Sequence, residues 1–255
     1  MGHKIGITTN QLLILKLLYK FRFATPNLIS KYRNISISSI NQSLNILLKR
    51  GLIERKYSNR NRIAGKPASY YLTSAGINVL GNNIRLNDLV VHSYYHNKKV
   101  SESFIDQHLA VLEIYIVLGK SYPGLFNIFT AADSRSLEYL PEIKPSLYLS
   151  RIDKSVTPRH YFLEVINDDR TFIIKKKLNE YIEHYSSATW DKDEYPTLLV
   201  VLPSQRAEKR LGYLVESQSP DFDIYTTTAL ATKNSGFNNR NIWSDVLEPE
   251  NLVSL

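Results

Sequence analysis

The residues best suited to chemistry in this chain form two groups. Ser38, Asn41, Gln42, Asn45 and Lys49 recur along one stretch between Ser36 and Arg50. Hydroxyl and amide side chains of this kind can donate to and accept from base edges in the major groove of duplex DNA. Arg60, Arg62 and Lys66 follow, beside Gly65, a cluster able to lie along a phosphate backbone or enter a minor groove. The second group is Glu164, Asp168 and Asp169, with Glu113 upstream and Lys175, Lys176 and Lys177 downstream. Carboxylates can hold divalent cations that activate water, and a lysine can stabilise charge developing at a phosphoryl centre. His92 and His96 have the i, i+4 spacing of a helical metal pair, but the stretch is polar and its one nearby acid is Asp88, so coincidence is the better reading. His108, alone on an amphipathic stretch, reads as a packed residue rather than a ligand. The chain has no Gly-x-x-x-x-Gly-Lys-Ser/Thr loop, no Gly-x-Gly-x-x-Gly after a strand and no His-Glu-x-x-His.

The polar group needs a helix to present it, and the sequence supplies one. Ile37, Ile40, Leu44, Leu47 and Leu48 recur at helical spacing and leave the other face polar. Ser36 is suited to cap the first turn, while Arg50 and Gly51 suit its end. Upstream, Thr8-x-x-Gln11 predicts a capping box on a helix reaching about Lys20, and Thr25-Pro26 starts a short helix to about Tyr32. Two helices joined by the Arg33-Asn34 turn, the second longer and polar on one side, make a helix-turn-helix arrangement. Strand-like Leu52–Tyr57 and Ala68–Leu72 then bracket residues 58–67, a hairpin tip carrying Arg60, Arg62 and Lys66. Thr73 caps another helix.

Charge divides along the same line. Residues 1–85 hold 14 Lys or Arg against one acid, Glu54, a net +13; residues 86–255 hold 18 basic and 23 acidic residues, a net −5. A basic module joined to a mildly acidic one points to a polyanion partner for the first. Zero cysteines exclude disulfides, thiol catalysis and cysteine metal sites and fit a reducing compartment. With no signal-peptide pattern and no apolar run long enough to span a bilayer, the expected location is cytoplasmic, with no membrane partner.

Beyond a polar stretch at 86–100, read as a linker, Ser101 or Ser103 opens a long helix to about Leu118. Strands are expected at Phe126–Ala131, Ser146–Ser150, Tyr161–Ile166, Thr197–Leu202 and Asp223–Thr227. Helices are expected at Thr171–Ser186, with Lys175, Lys176, Lys177, Glu180 and Glu183 on its wet side, and from Pro203-Ser204 to Val215. From Ala229 onward the signal fades into a surface segment.

Two resemblances emerge. Leu48-Lys49-Arg50-Gly51-Leu52-Ile53 with Tyr71-Leu72-Thr73-x-x-Gly76 resembles the winged helix-turn-helix of bacterial regulators, over the first third of the chain. The later element order resembles the core of restriction-endonuclease-like folds. Lys144-Pro145-Ser146-Leu147-Tyr148-Leu149, Tyr161-Phe162-Leu163-Glu164-Val165-Ile166 and Lys177-Leu178-x-x-Tyr181 resemble the replication-relaxation family of plasmids and mobile elements. The resemblance implies an α+β / α/β chain: winged helix at 1–85, linker at 86–100, mixed-sheet nuclease-like α/β domain at 101–228, surface segment at 229–255.

A nuclease of that fold places an Asp at its second strand, a Glu on the third and a Lys two residues on; here those positions are Ser146, Glu164 and Ile166. A neutral hydroxyl is a poor Mg²⁺ ligand and an apolar side chain stabilises no oxyanion. The expectation is a non-catalytic, cofactor-free protein that binds double-stranded DNA through Ser38, Asn41, Gln42, Asn45, Lys49, Arg60, Arg62 and Lys66, as a homodimer, in replication, mobilisation or transcriptional control. Two alternatives stay open. One is a metal-dependent nuclease or nickase using Glu164, Glu113, Lys175 and Mg²⁺; the other is an adaptor for other replication, mobilisation or recombination proteins.

Overall fold

A computed structural model describes residues 6–133, 140, 144–152, 159–190, 194–235, 242–253 and 255, and the chain divides into two compact units, Met1–Leu112 and Glu113–Leu255. Capping chemistry sets the first helices. The Thr8 hydroxyl accepts from Gln11 N–H while the Gln11 side chain accepts from Thr8 N–H, opening α1 (Thr9–Phe21) with a capping box. Thr25 caps α2 (Pro26–Arg33), which ends at left-handed Asn34. Ser36 caps α3 (Ile37–Lys49), and Gly51, at φ 66°, turns the chain out of it. Leu15, Leu18, Phe23, Ile29, Leu44 and Leu47 are among the fully buried residues of this unit.

Strands β1 (Ile53–Lys56) and β2 (Ser69–Leu72) pair antiparallel. The hairpin tip between them contains a short helix that the sequence did not announce, α4 (Asn59–Ile63), started by the Ser58 hydroxyl accepting from Asn61 N–H at 3.1 Å. A five-residue helix leaves no readable periodicity. Next, α5 (Ser74–Gly81) is capped by Thr73. The glycine of the Thr-x-x-Gly phrase has a steric reason: a Cβ at Gly76 would lie 2.0 Å from the Leu52 carbonyl oxygen. Only glycine lets the two backbones approach so closely.

Residues 86–100, expected as a linker, are instead helical: α6 (Asp88–Tyr94) and a 3₁₀ turn at Asn97–Lys99. Long-range contacts hold them down. Tyr94 is buried and its hydroxyl donates to the Tyr19 carbonyl, and Asn87 N–H donates to the Tyr19 hydroxyl at 2.7 Å. The Arg22 guanidinium donates to Asn97 Oδ1 and the Ser93 carbonyl, lying over the rings of Tyr94 and Phe104. Helix α7 (Glu102–Ser121) contributes its first half to this unit and its second to the next.

In the second unit the described strands form one mixed sheet: β3 (Phe126–Phe129), β4 (Leu147–Arg151), β5 (His160–Val165), β6 (Thr197–Leu202), β7 (Ile224–Thr228), β8 (Trp243–Asp245) and β9 (Leu252–Val253) lie side by side in that order. The β5–β6 and β6–β7 pairs are parallel, crossed over by α8 (Thr171–Ser186) and α9 (Gln205–Gln218); the other pairs are antiparallel. Phe162, Ile174, Leu178, Tyr181, Leu198 and Leu211 share one buried cluster, so α8 and α9 cover one face of the central strands. The expected surface segment at 229–255 is corrected. It supplies α10 (Ala229–Ser235) and strands β8 and β9, and Trp243 is fully buried. Strands of two and three residues are too short for alternation to show in sequence. The chain is thus α+β, a helical N-terminal part followed by a mixed sheet. Among the described residues no helix is long and apolar enough to cross a membrane.

Candidate nucleic-acid interface and carboxylate site

Helix α3 sorts its residues cleanly by face. Ile40, Leu44 and Leu47 are buried, whereas Ser38, Asn41, Gln42, Asn45 and Lys49 are all exposed. At 3.6 residues per turn these five project from the side opposite the buried stripe. Ile37 departs from expectation: it is 46% exposed, at one edge of the stripe. Together the five give a row of hydroxyl, amide and ammonium groups on a rigid helix, the shape and chemistry a major groove accepts.

The hairpin tip is less free than the sequence implied. Arg62 is exposed, and the side chain of Arg60 lies outside the described residues. Lys66 is exposed but paired, its ammonium 3.1 Å from Asp106 Oδ2 on α7. The Ser58 hydroxyl likewise donates to Glu102 Oε1 at 3.2 Å. Both acids lie about 40 residues away in the chain, so no local motif announces them.

In the sheet, antiparallel register pairs Leu147 with Leu163, which sets Ser146 opposite Glu164. Period-two alternation then points Phe162, Glu164 and Ile166 to the face covered by α8. Glu164, only 4% exposed, is saturated with donors there. Ser146 N–H (3.1 Å), the Ser146 hydroxyl (3.2 Å) and the Tyr181 hydroxyl (2.8 Å) all donate to its carboxylate, and the Lys177 ammonium sits 3.2 Å away. Lys177 also pairs with Glu180 at 3.3 Å. Burial pulls the Lys177 ammonium down in pKa, but Glu164 and Glu180 outweigh it, so the group is held above its ordinary value. Tyr181 is pushed well above the ordinary phenol range, by burial first and then by Glu164.

Lys177 is therefore not on the wet side of α8, as the sequence suggested, although Lys175 and Lys176 are. Its spacing to Tyr181 was the available signal, since residues four apart share a helix face. The other candidate acids are engaged elsewhere. Glu113 pairs with Lys233 at 3.2 Å, Asp168 is bound by Arg170, and Asp169 faces Arg210 at 4.0 Å. Ile166 is buried in the cluster beneath α8. Among the described residues no group of three or more His, Cys, Asp or Glu is placed to hold a metal ion. What the sheet carries at this point is a carboxylate neutralised by a lysine and closed by two hydroxyls and an amide.

Comparison with protein-family models finds a match, described as replication-relaxation, over residues 15–194. No curated protein matches the chain. Among solved structures, Lactococcus lactis ZitR (C30AH42A mutant) is 17% identical, with 47% of this chain and 77% of that chain covered at a TM-score of 0.28. Streptococcus pneumoniae FabT in complex with DNA is 22% identical, covering 41% and 70% at 0.29. The adhesin competence repressor of Streptococcus pyogenes is 17% identical, with 46% of this chain and 82% of that chain covered at a TM-score of 0.28.

Proposed function

This chain belongs to the replication-relaxation family, and we propose that it is a duplex-DNA-binding protein that performs no catalysis of its own. On this reading it serves a plasmid or other mobile element in replication, DNA mobilisation or transcriptional control, in the cytoplasm and without a cofactor. The observation that carries the proposal is the exposed face of α3: Ser38, Asn41, Gln42, Asn45 and Lys49 stand opposite a buried apolar stripe. The +13 charge of residues 1–85 supports it, because a polyanion gains affinity by releasing its counterions to such a surface. Arg60, Arg62 and Lys66 would meet phosphates from the hairpin tip. A homodimer would set two such helices on half-sites about one helical turn apart. The non-catalytic part rests on Glu164, whose lone pairs are taken by Ser146, Tyr181 and Lys177.

A duplex library selected on the intact protein, followed by gel shifts against salt, tests this. Asn41→Ala with Gln42→Ala is expected to weaken binding to the selected sequence about tenfold or more and to relax base preference, at roughly 1–3 kcal/mol per base contact. Arg62→Ala should weaken all sequences alike and flatten the salt dependence. Wild-type protein without duplex affinity, or affinity indifferent to the paired α3 substitution, would sink the reading. Supercoiled plasmid incubated with Mg²⁺ or Mn²⁺ should stay uncut; nicking that disappears in Glu164→Ala would overturn the non-catalytic part.

A further inference from the structure

The hairpin tip that the preceding proposal aims at DNA is tied down in this structure, and by acids. Lys66, offered as a phosphate contact, is 3.1 Å from Asp106, with the two side chains 55% and 39% exposed. Ser58, at the other shoulder of the tip, donates to Glu102. Glu102 and Asp106 are four residues apart on α7 and so share one face, and between them they hold both ends of the 58–66 segment. Lys56, at the end of β1, adds a third tie by donating to the Val100 carbonyl at 2.7 Å.

Beneath these ties the tip is not packed. A cavity of about 340 Å³ lies between it and α7, with Tyr57, Pro67, Ile105 and Leu109 in its walls. The segment is therefore held by polar contacts at its rim rather than by apolar burial, which makes separation inexpensive. Gly65, at φ 63°, precedes Lys66 and gives the chain a point to bend there. An exposed ion pair contributes little stability, so a phosphate can compete for the same ammonium.

We infer that Asp106 and Glu102 form a latch on the wing: they hold Lys66 and Ser58 against α7, and duplex DNA must displace Asp106 from Lys66 before the wing makes its full set of phosphate contacts. This rests on the DNA-binding reading and adds a control to it. The latch lowers affinity wherever the wing contributes phosphate contacts, and less at sites where the wing reaches little backbone. Neutralising Asp106 strengthens binding through Lys66.

The test is a double-mutant cycle on the full chain: wild type, Asp106→Asn, Lys66→Gln and the pair, each titrated with duplex across a salt series. Asp106→Asn is expected to tighten binding roughly two- to fivefold and to steepen the dependence of log affinity on log salt by about one. Both gains should vanish in the Lys66→Gln background. Hydrogen exchange of residues 58–67 in the absence of DNA should quicken in Asp106→Asn. A gain that persists without Lys66 would mean Asp106 merely repels DNA and would overturn the latch. So would wild-type binding left unchanged by Asp106→Asn. Failure of wild type and Asp106→Asn alike to bind any duplex would overturn the DNA-binding reading and the latch with it.

Discussion

Lys177→Met is expected to destabilise the sheet-containing unit by about 3–5 kcal/mol. Glu164 is 4% exposed and, among the described residues, Lys177 is the one cation paired with it, so removing the ammonium leaves a carboxylate charge inside the protein with three neutral donors. Methionine keeps the apolar stem that packs along α8, which isolates the loss of charge. Urea unfolding followed by tryptophan fluorescence measures it. Both tryptophans, Trp190 and Trp243, lie in the second unit, so the signal reports that unit alone. Adding Glu164→Gln to Lys177→Met should recover a large part of the loss, because the uncompensated charge then disappears. A single variant within about 0.5 kcal/mol of wild type would show that the pair is incidental.

Acid should act on the first unit through His108. Burial, and then the neighbouring Arg22 cation, push this imidazole down from 6.5 to about 4. Its ring packs 4.6 Å from that of Phe104 and 6.0 Å from that of Phe23, centroid to centroid. Between the two pKa values the unfolded chain binds a proton that the folded chain refuses, so stability rises with pH across this window. The contribution is complete above pH 6.5 and is lost as pH falls through about 4. The total is on the order of 3 kcal/mol, from about 1.4 kcal/mol per pKa unit. His108→Leu removes the titration while keeping an apolar ring of contacts. Urea unfolding by circular dichroism at several pH values should show wild type losing stability toward acid more steeply than the variant. Parallel curves would exclude the role.

Features set by neighbouring residues were legible in the sequence. Thr8, Thr25, Ser36 and Thr73 all cap the helices they were expected to cap, because a cap is chosen within three residues of itself. Thr171–Ser186 and Thr197–Leu202 match their expected bounds because long periodic or continuous apolar runs carry their own boundaries. What failed to show depended on distant partners. Helix α6 is stabilised by Tyr19 and Arg22, some 70 residues upstream, while its own Leu89 stays 85% exposed and weakens any amphipathic pattern. Lys177 looked like one of three solvated lysines until the sheet fixed which face of α8 turns inward. Asp106 and Glu102 lie some 40 residues from the hairpin tip they touch, beyond the reach of any local pattern. The exposed face of α3 was written in the spacing of Ile40, Leu44 and Leu47, but a spacing does not name the bases that face would meet.

The order of strands in the sheet bears on how this unit can assemble on the ribosome. Described strands β3 to β9 lie side by side in the order in which they are synthesised, with no strand inserted between two made earlier. Each new strand therefore finds its pairing edge already present, and each pairing closes a loop no longer than one crossover. That keeps loop-closure entropy low at every step. It also leaves a single growing edge open during synthesis, rather than a gap awaiting a late strand. The edge of β7 is covered only when β8 reaches it after α10 has emerged, and β9 then pairs with β8. Buried Trp243 makes the docking of β8 a hydrophobic step, and until it occurs the backbone groups of β7 remain available to another nascent chain.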